Sequence, residues 1–432
     1  MNQTEKIYDV AIAGGGIVGA TLACALSGGG MRVAVIEAKQ PEASTEQIDP
    51  RVSAISRGSV RILESLGVWR AMTARRVSPF REMQVWDASG SGNIHFDSAD
   101  IGMDTLGYIV ENGVILEALW EKLHNSTAID MYCPARITTA TWQRERVTLT
   151  LDDGRRLDAK LLVGADGADS TVRRLADITT RGWDYHQTAL VATVSTSHPH
   201  HETAWQRFLP GGPLAFLPLA CGSSSIVWTL PTEQAERLLT LSDDAFVHEL
   251  QEALGVPPHR DVLVSWEAGC RERPPVHGYQ GLGLGKILEA GPRLGFPLRL
   301  IHADQYVNER LALIGDAAHT IHPLAGQGVN LGISDAAALA EVLGEARSQG
   351  KDIGALRVLR RYERWRKGDN LIMIAALEGI KRLFATNLPP LRWARNRGLA
   401  LTDRAWPVKN MIMRHAMGLA GDLPERARSG PE

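Results

Sequence analysis

The chain has 432 residues, of which 44% are hydrophobic, and a formal net charge of −2 at neutral pH. This composition is ordinary for a globular protein of two or three domains, and we expect no nucleic-acid partner. The four cysteines stand far apart without a C-x-x-C pair, which argues against a disulfide framework or a zinc site and fits a reducing compartment. Because no uninterrupted apolar run approaches the roughly 20 residues of a membrane span, we expect a cytoplasmic protein, soluble or peripheral on the inner membrane.

The charge is unevenly distributed along the chain. Residues 341–432 hold 18 Lys and Arg against 10 Asp and Glu, whereas the rest of the chain is acidic. A basic C-terminal part indicates an anionic partner, with a membrane surface as the leading one. A basic face that is merely solvated is the alternative.

The first informative stretch has the order of a dinucleotide-binding unit. The apolar, β-branched run Ile7–Ala13 predicts a buried strand, and the small residues of Ile17–Leu26 predict a helix. Arg32–Ile36 predicts a second buried strand, which ends in Glu37.

Between the first strand and the helix, three glycines have the spacing G-x-G-x-x-G: Gly14, Gly16 and Gly19. The first permits a tight turn, the second lets backbone approach a pyrophosphate, and the third lets helix and strand pack closely. Glu37 lies 18 residues beyond Gly19, where an acid can bond ribose hydroxyls. The alternative is a glycine turn without a ligand, and the motif alone does not distinguish NAD from FAD.

A second acid follows a later predicted strand. The elements before it are predicted at Gly58–Leu66 (helix), Arg81–Phe96 (hairpin), Gly107–Val110 (strand), Val114–His124 (helix, capped by Asn112), Val147–Leu151 and Leu157–Val163 (strands). Asp166-Gly167 follows the last strand, and Ser170 is placed to cap a helix that carries Arg173. An acid at this end of a strand lies where open α/β sheets bind ligands, although Asp-Gly is also a common turn.

The next part of the chain predicts a second sheet. Strands are predicted at Ala189–Thr196, Ala204–Leu209, Leu214–Leu219 and Ser225–Leu230, and helices at Thr232–Leu239 and Ser242–Leu254. The Pro- and Gly-rich stretch 255–300 allows no assignment. Its segment from Gly281 to Lys286 is similar to a phosphate loop, but Ile287 stands where Ser or Thr is required, so we reject that site.

A third predicted strand, Arg310–Ile314, again delivers an acid, Asp316, before a glycine loop and a helix from about Val329 to Arg347. The start of that helix, where free N–H groups favour a partly negative ligand atom, carries Gly326, Gly328, Val329 and Asn330. Asp316, His319 and His322 have a spacing of three, but Pro323 interrupts the helix that would align them. We therefore predict structural histidines and no metal site.

From Asp352 to Met417 the pattern is helical, with basic residues among apolar ones, and we expect Arg382, Arg392, Arg395 and Arg397 to form part of a basic surface. Helices of this kind can lie on a membrane surface. Packing on the body of the protein or on another subunit is the alternative.

Taken together, the three acid-bearing strand ends resemble those of the single-component flavoprotein hydroxylases, the p-hydroxybenzoate hydroxylase type. The resemblance implies bound FAD and NADPH (or NADH) as a transient electron donor. It implies that Gly14, Gly16, Gly19 and Glu37 bind the ADP half of FAD, and that Asp166, Gly167 and Arg173 make further contacts with FAD and NADPH. It implies that Asp316 binds the ribityl chain. The residues that it places along or near FAD and its flavin ring are Arg51, Pro323, Gly326, Gly328, Val329 and Asn330.

Three longer blocks are similar to the ring hydroxylases of ubiquinone biosynthesis: Arg51–Ser56, Gly164–Ala168 and Gly315–Gly332. This resemblance implies O2-dependent hydroxylation of a polyprenylated phenol through a flavin 4a-hydroperoxide, at a membrane surface that supplies the substrate. It assigns no catalytic side chain. It leaves open which ring position is hydroxylated, whether the chain forms a homo-oligomer and whether it belongs to a multiprotein complex of the pathway. An isoprenoid-acting flavin reductase and a non-catalytic flavin-binding scaffold are the rival interpretations.

The predicted fold is α/β, with a Rossmann-like FAD-binding domain, an inserted β-sheet substrate domain and a C-terminal helical region. The FAD-binding domain is assigned to residues 1–80, 107–180 and 301–350, and the substrate domain to residues 81–106 and 181–300. The C-terminal region, residues 351–432, is the predicted membrane-contacting part.

Overall fold

A computed structural model of the protein describes residues 7–41, 48–255, 283–322, 326–386 and 388–428. Pro323 and the first two residues of the rejected phosphate loop, Gly281 and Leu282, lie outside these residues. The strands are β1 (Ile7–Ala13), β2 (Val33–Ile36), β3 (Val52–Ser56), β4 (Val77–Phe80), β5 (Glu82–Asp87), β6 (Asn93–Asp97), β7 (Gly107–Glu111), β8 (Ile129–Tyr132), β9 (Ile137–Trp142), β10 (Val147–Leu151), β11 (Arg156–Gly164), β12 (Thr180–Thr196), β13 (Thr203–Leu209), β14 (Gly212–Pro218), β15 (Ser224–Pro231), β16 (Ile287–Ala290), β17 (Leu294–Ala303), β18 (Val307–Asn308), β19 (Leu311–Leu313) and β20 (His319–Thr320).

The helices of the described residues lie between and after these strands. They are α1 (Ile17–Gly28), α2 (Arg57–Ser65), α3 (Trp69–Thr73), α4 (Asn112–His124), α5 (Thr171–Leu175), α6 (Thr232–Leu239), α7 (Asp243–Leu254), α8 (Gln327–Ser348), α9 (Leu356–Ala385), α10 (Pro389–Arg404) and α11 (Trp406–Ala416). Helix α4 begins at Asn112 itself, with Glu111 as the preceding residue, so the predicted Asn112 cap is wrong by one position.

The first sheet has the strand order β18-β19-β11-β1-β2-β8, with β9 and β10 joined to β11. Strand β1 pairs in parallel with β11 and β2, and β19 and β8 continue the parallel run on either side. A parallel sheet is covered on both faces, which explains the continuous apolar runs of its strands. Val10, Ala11 and Ile12 are fully buried in this way. The predicted α/β class with a Rossmann-like sheet is confirmed.

The second sheet has the order β20-β17-β12-β15-β14-β13-β5-β6, and a small third sheet has the order β3-β7-β4. The hairpin predicted over Arg81–Phe96 is confirmed as β5 and β6. Strand β12 begins at Thr180, earlier than predicted, because its first half pairs with β17. Strand β17 lies in the stretch that the sequence left unassigned. The domain boundaries given above stay a prediction.

Helix α9 spans from one sheet to the other. Near its start, the Tyr362 hydroxyl donates to the Leu313 carbonyl of the first sheet (2.9 Å). Near its end, Phe384 stacks on Phe208 of the second sheet with ring centroids 3.7 Å apart. Among the described helices, none combines the length and apolar character that crossing a bilayer requires.

Helix α10 is fixed to the second sheet by a buried ion pair. Arg395 donates from Nε and Nη2 to Asp87 Oδ2 at 2.7 Å and 2.6 Å, and both side chains are almost fully buried. The expectation that Arg395 belongs to a basic surface is therefore wrong. Removing either side chain would leave the other charge buried without a partner, which is strongly destabilising.

Candidate functional site: a row of loops at the sheet edge

The carboxyl ends of four neighbouring parallel strands carry the predicted site residues. In the sheet order β2, β1, β11, β19, these ends are followed by Glu37, Gly14, Asp166 and Asp316. Parallel strands end at one edge of a sheet, and that edge is where open α/β sheets bind ligands. The fold therefore places four sequence motifs side by side in one row.

The glycine loop is closed so tightly that two of its glycines have no space for a side chain. Gly14 has φ = +100°, and a Cβ there would lie 2.3 Å from the Ala165 carbonyl oxygen. A Cβ on Gly19 would lie 2.0 Å from the Gly14 carbonyl oxygen. Around Gly16, by contrast, no atom lies within 4 Å of an added Cβ. This is the arrangement the sequence predicts, with a tight turn, close packing and open access at the middle glycine.

Glu37 holds the same loop from the side. Its Oε2 accepts from the Gly15 N–H at 2.6 Å and its Oε1 from the Lys39 N–H at 3.0 Å. The indole Nε1 of Trp120, on α4, donates to the Gly15 carbonyl at 2.8 Å. Carboxylate oxygens accept more than one hydrogen bond, so Glu37 can bond a ribose as well. The role of Trp120 was not predicted from the sequence, because α4 carries no pattern that indicates a contact with the loop.

Asp166 is used within its own loop. Its Oδ1 accepts from the Ser170 hydroxyl (2.5 Å) and its Oδ2 from the N–H groups of Thr171 (2.7 Å) and Val172 (3.1 Å), at the start of α5. The predicted Ser170 cap is confirmed, since its oxygen accepts from the Arg173 N–H at 3.0 Å. The neighbouring Gly167 has φ = +81° with open space where a side chain would be. Asp166 therefore shapes this loop, and its direct contact with FAD stays a prediction.

Arg173 joins the second loop to the third. The guanidinium donates to the Ala317 carbonyl at 2.8 Å and to the Ala168 carbonyl at 2.7 Å. The side chain is buried, and this burial lowers its pKa, although an arginine stays charged at any physiological pH. The loops that carry Asp166 and Asp316 are consequently held at a fixed separation.

The third loop is held from below by α8. The buried Asp335 accepts from the Gly315 N–H (3.1 Å) and from His319 Nε2 (2.5 Å) on Oδ2, and from Arg366 Nε (2.9 Å) on Oδ1. Burial alone would raise the pKa of Asp335, but the charges and hydrogen bonds of His319 and Arg366 lower it to about 2. His319 thus serves this network, as the structural interpretation of the histidines predicts.

Asp316 itself remains available to a ligand. The residue is exposed, and within the described part of the chain its carboxylate has no hydrogen bond. An accessible carboxylate at a strand end, next to a fixed backbone, can accept from sugar or sugar-alcohol hydroxyls.

The start of α8 lies against β3. The Asn330 amide donates to the Ala54 carbonyl at 2.8 Å and accepts from the Ser56 N–H at 2.9 Å. Gly326 has φ = +64° and precedes the helix, which places the N–H groups of Gly328 and Val329 in the first, unpaired turn. Asn330 is therefore an anchor for the helix start.

Arg51 precedes β3 and reaches the same region through its loop. Its Nε donates to Asp49 Oδ1 at 3.1 Å, and its side chain is largely exposed. The loop is fixed by Glu111, which accepts from the Asp49 N–H at 2.8 Å. The role of Arg51 along FAD stays a prediction.

The residues of this row fit FAD. They offer an open glycine for the pyrophosphate, a carboxylate near each end and a helix start. The role of Asp335 and Arg366 in holding the third loop was not predicted from the sequence, because neither residue belongs to a motif.

A family profile described as "FAD binding domain" matches residues 7–266 and 294–367 of the chain. The chain belongs to this family. It is 38% identical over 444 residues to the ubiquinone biosynthesis monooxygenase COQ6, mitochondrial, of Danio rerio, covering 95% of this chain and 90% of that protein. It is also 38% identical over 418 residues to the 3-demethoxyubiquinol 3-hydroxylase of Escherichia coli, covering 96% of this chain and all of that protein.

The fold is also that of solved FAD-family structures. The crystal structure of p-nitrophenol 4-monooxygenase PnpA from Pseudomonas putida has a TM-score of 0.75 at 19% identity, covering 97% of this chain and 99% of that one. With the relatives above, the predicted resemblance is confirmed, and the protein is an FAD-dependent monooxygenase of this family.

Proposed function

We propose that the protein hydroxylates the aromatic ring of a polyprenylated phenol in ubiquinone biosynthesis, with O2 and NADPH or NADH as co-substrates. The observation that carries this proposal is the extent of the likeness. The 38% identity covers 95% of the chain, so it includes the second sheet and the C-terminal helices as well as the FAD loops. A likeness confined to the cofactor loops would support FAD binding alone.

FAD, when bound, accepts reducing equivalents from the nicotinamide and activates O2, which is chemistry that side chains cannot supply. The protein's own contribution is binding and electrostatics. The open backbone at Gly16 would receive the pyrophosphate, Glu37 and Asp316 would accept from hydroxyl groups, and the start of α8 would offer positive potential to a partly negative atom of the cofactor.

The two relatives leave the position on the ring open, since both are 38% identical to the chain and only the 3-demethoxyubiquinol 3-hydroxylase carries a position in its name. Segments such as Ile109–Asn112 and Trp183–Tyr185 resemble 2-octaprenylphenol hydroxylase, which favours hydroxylation of a polyprenylphenol. Another ring position in the same pathway is the alternative.

Deletion of the gene in its host tests the function directly. We expect quinone to fall and a single prenylated phenol lacking one hydroxyl group to accumulate, and mass spectrometry of the lipid extract identifies it. With purified protein, that phenol should make NAD(P)H oxidation consume O2 in step with hydroxylated product. Reduction of the prenyl chain, with no oxygen in the product, would instead show the flavin reductase.

We further propose that the enzyme takes this substrate at a membrane surface, through a patch that we call the α9–α11 face. Twelve of the seventeen exposed large hydrophobic side chains of the described residues lie in it: Leu371, Ile372, Ile380, Leu383, Leu388, Leu391, Trp393, Leu401, Trp406, Val408, Met411 and Ile412. Exposed arginines, including Arg382, Arg392 and Arg397, lie among them. Apolar and basic side chains together are typical of interfacial helices. A second copy of the chain or another enzyme of the pathway is the alternative partner for this face.

A further inference from the structure

A small cavity between the second sheet and the end of α9 gathers polar groups that the cofactor loops do not use. Its polar lining is Gln187 of β12, Lys381 of α9 and His322, which follows β20. Its apolar lining includes Phe208, Pro213 and Phe384. The cavity therefore has an apolar wall with a polar end, the design of a site for a ring that carries one polar substituent.

Among the described residues, two buried acceptors in this cavity have no hydrogen-bond partner. His322 is 3% exposed, and neither of its ring nitrogens makes a hydrogen bond to any residue that the structure describes. The amide nitrogen of Gln187 donates to the Gly211 carbonyl at 2.7 Å, which leaves its buried Oε1 without a partner. Buried polar atoms are nearly always hydrogen-bonded. Two such acceptors that line one cavity indicate a ligand that brings an O–H or N–H donor.

The same cavity holds one cation. Lys381 Nζ lies 3.1 Å from the ring centroid of Tyr185, whose hydroxyl donates to Glu378 on the same helix. Burial lowers the pKa of Lys381 to about 8, so the ammonium form still prevails at neutral pH. Burial and Lys381 lower the pKa of His322 to about 4, which keeps this imidazole neutral and able to accept. The cavity thus offers an acceptor and a donor, and it repels a second cation.

We propose that His322 and Lys381 bind the phenolic hydroxyl of the substrate. The substrate O–H donates to a ring nitrogen of His322, and its oxygen accepts from the Lys381 ammonium. An acceptor on the O–H increases the electron density of the ring, the direction that favours its attack on an electrophilic oxygen. This inference rests on the proposed function, because it names the group of the phenol that the enzyme recognises.

The cavity is too small for an aromatic ring unless a side chain moves. Its volume is about 30 Å³, which is room for no more than a water molecule or two. It receives the hydroxyl end as it stands, whereas the ring needs the side chain of Phe384 to move outward. Phe384 lies in the last turn of α9, whose final residues are largely exposed.

The test compares a phenol with its methyl ether on the FAD-loaded enzyme. The probes are 2-allylphenol and 2-allylanisole, and their binding is followed by the change in flavin absorbance. We expect the wild type to prefer the phenol by about ten-fold or more, the worth of a charge-assisted hydrogen bond. In His322→Ala and Lys381→Met, the preference should fall to within about two-fold, with FAD content unchanged. The exposed Lys351→Met is the matched control and should keep the wild-type preference.

A conservative variant separates recognition from damage to the fold. His322→Gln keeps an acceptor and should recover part of the preference for the phenol over the ether. If His322→Ala and Lys381→Met both discriminate as well as the wild type, this inference is wrong and the proposed function stands. The inference alone also fails if the wild type hydroxylates the phenol yet binds the ether equally well. A wild type that neither binds nor hydroxylates any phenol overturns both.

Discussion

A methyl group at Gly19 shows how much the cofactor loop depends on one residue. The added Cβ would lie 2.0 Å from the Gly14 carbonyl oxygen, a backbone atom that cannot move alone. We expect Gly19→Ala to lower the unfolding free energy by roughly 1–3 kcal/mol and to purify with little flavin. Gly28→Ala, in the same helix with open space around the new Cβ, is the control. Flavin absorbance per protein and thermal unfolding measure both effects, and a yellow, stable Gly19→Ala protein would contradict this account.

His322 also predicts how stability depends on pH. Its pKa is lowered to about 4 by burial, so the folded protein resists protonation that the unfolded chain accepts near pH 6.5. The resulting loss of stability begins as pH falls below about 6.5 and is complete near pH 4, with a size of roughly 3 kcal/mol. His302, with a pKa also lowered to about 4, adds to it. Urea unfolding at pH 7.5 and 4.5 should show that His322→Gln loses less unfolding free energy at the lower pH than the wild type does. Equal losses in the variant and the wild type would refute the assignment.

At the scale of elements, α8 supports the third loop through Asp335. Replacing it with Asn removes the buried counter-charge of Arg366 and leaves that guanidinium only its ion pair with the partly exposed Asp369 (3.2 Å). Breaking a buried pair costs roughly 3–5 kcal/mol, and we expect the change also to loosen the Gly315 backbone beside Asp316. We therefore expect Asp335→Asn to lose both stability and flavin. Glu345→Gln on the same helix is the control, because its pair with Arg361 (2.7 Å) is exposed and worth at most about 1 kcal/mol. Chemical denaturation and flavin content report the two losses, and an Asp335→Asn protein as stable as the control would exclude the supporting role.

The local pattern of the sequence was enough to predict β1, α1 and β2 with their glycines, because turn, strand and helix signals there all lie within about 30 residues. The acids at strand ends were predictable for the same reason. The network around Asp335 was not, since its partners Gly315 and Arg366 come from separate elements and the sequence alone does not reveal their contact. The first half of β12 was missed because its partner β17 lies in a Pro- and Gly-rich stretch.

At the scale of the whole molecule, the C-terminal helices connect the parts that the sequence treats as separate. Helix α9 contacts Leu313 in the first sheet and Phe208 in the second, and Arg395 fixes α10 on Asp87. Composition identified this region as basic but could not separate Arg395, which is buried, from Arg392 and Arg397, which are exposed. Burial of one arginine in a basic helix depends on an acid some 300 residues away in the sequence.

The test of the α9–α11 face therefore replaces only exposed arginines and leaves Arg395 unchanged. We expect the triple variant Arg382→Glu, Arg392→Glu, Arg397→Glu to bind anionic liposomes at least about 100-fold more weakly, because each basic residue near such a surface contributes about 1 kcal/mol. The control reverses three exposed arginines outside residues 341–432, namely Arg70, Arg144 and Arg156, and so has the same net charge. Flotation with and without anionic lipid measures binding. If the control loses as much as the triple variant, net charge and not this face governs the attraction, and if neither changes, the proposed membrane contact is wrong.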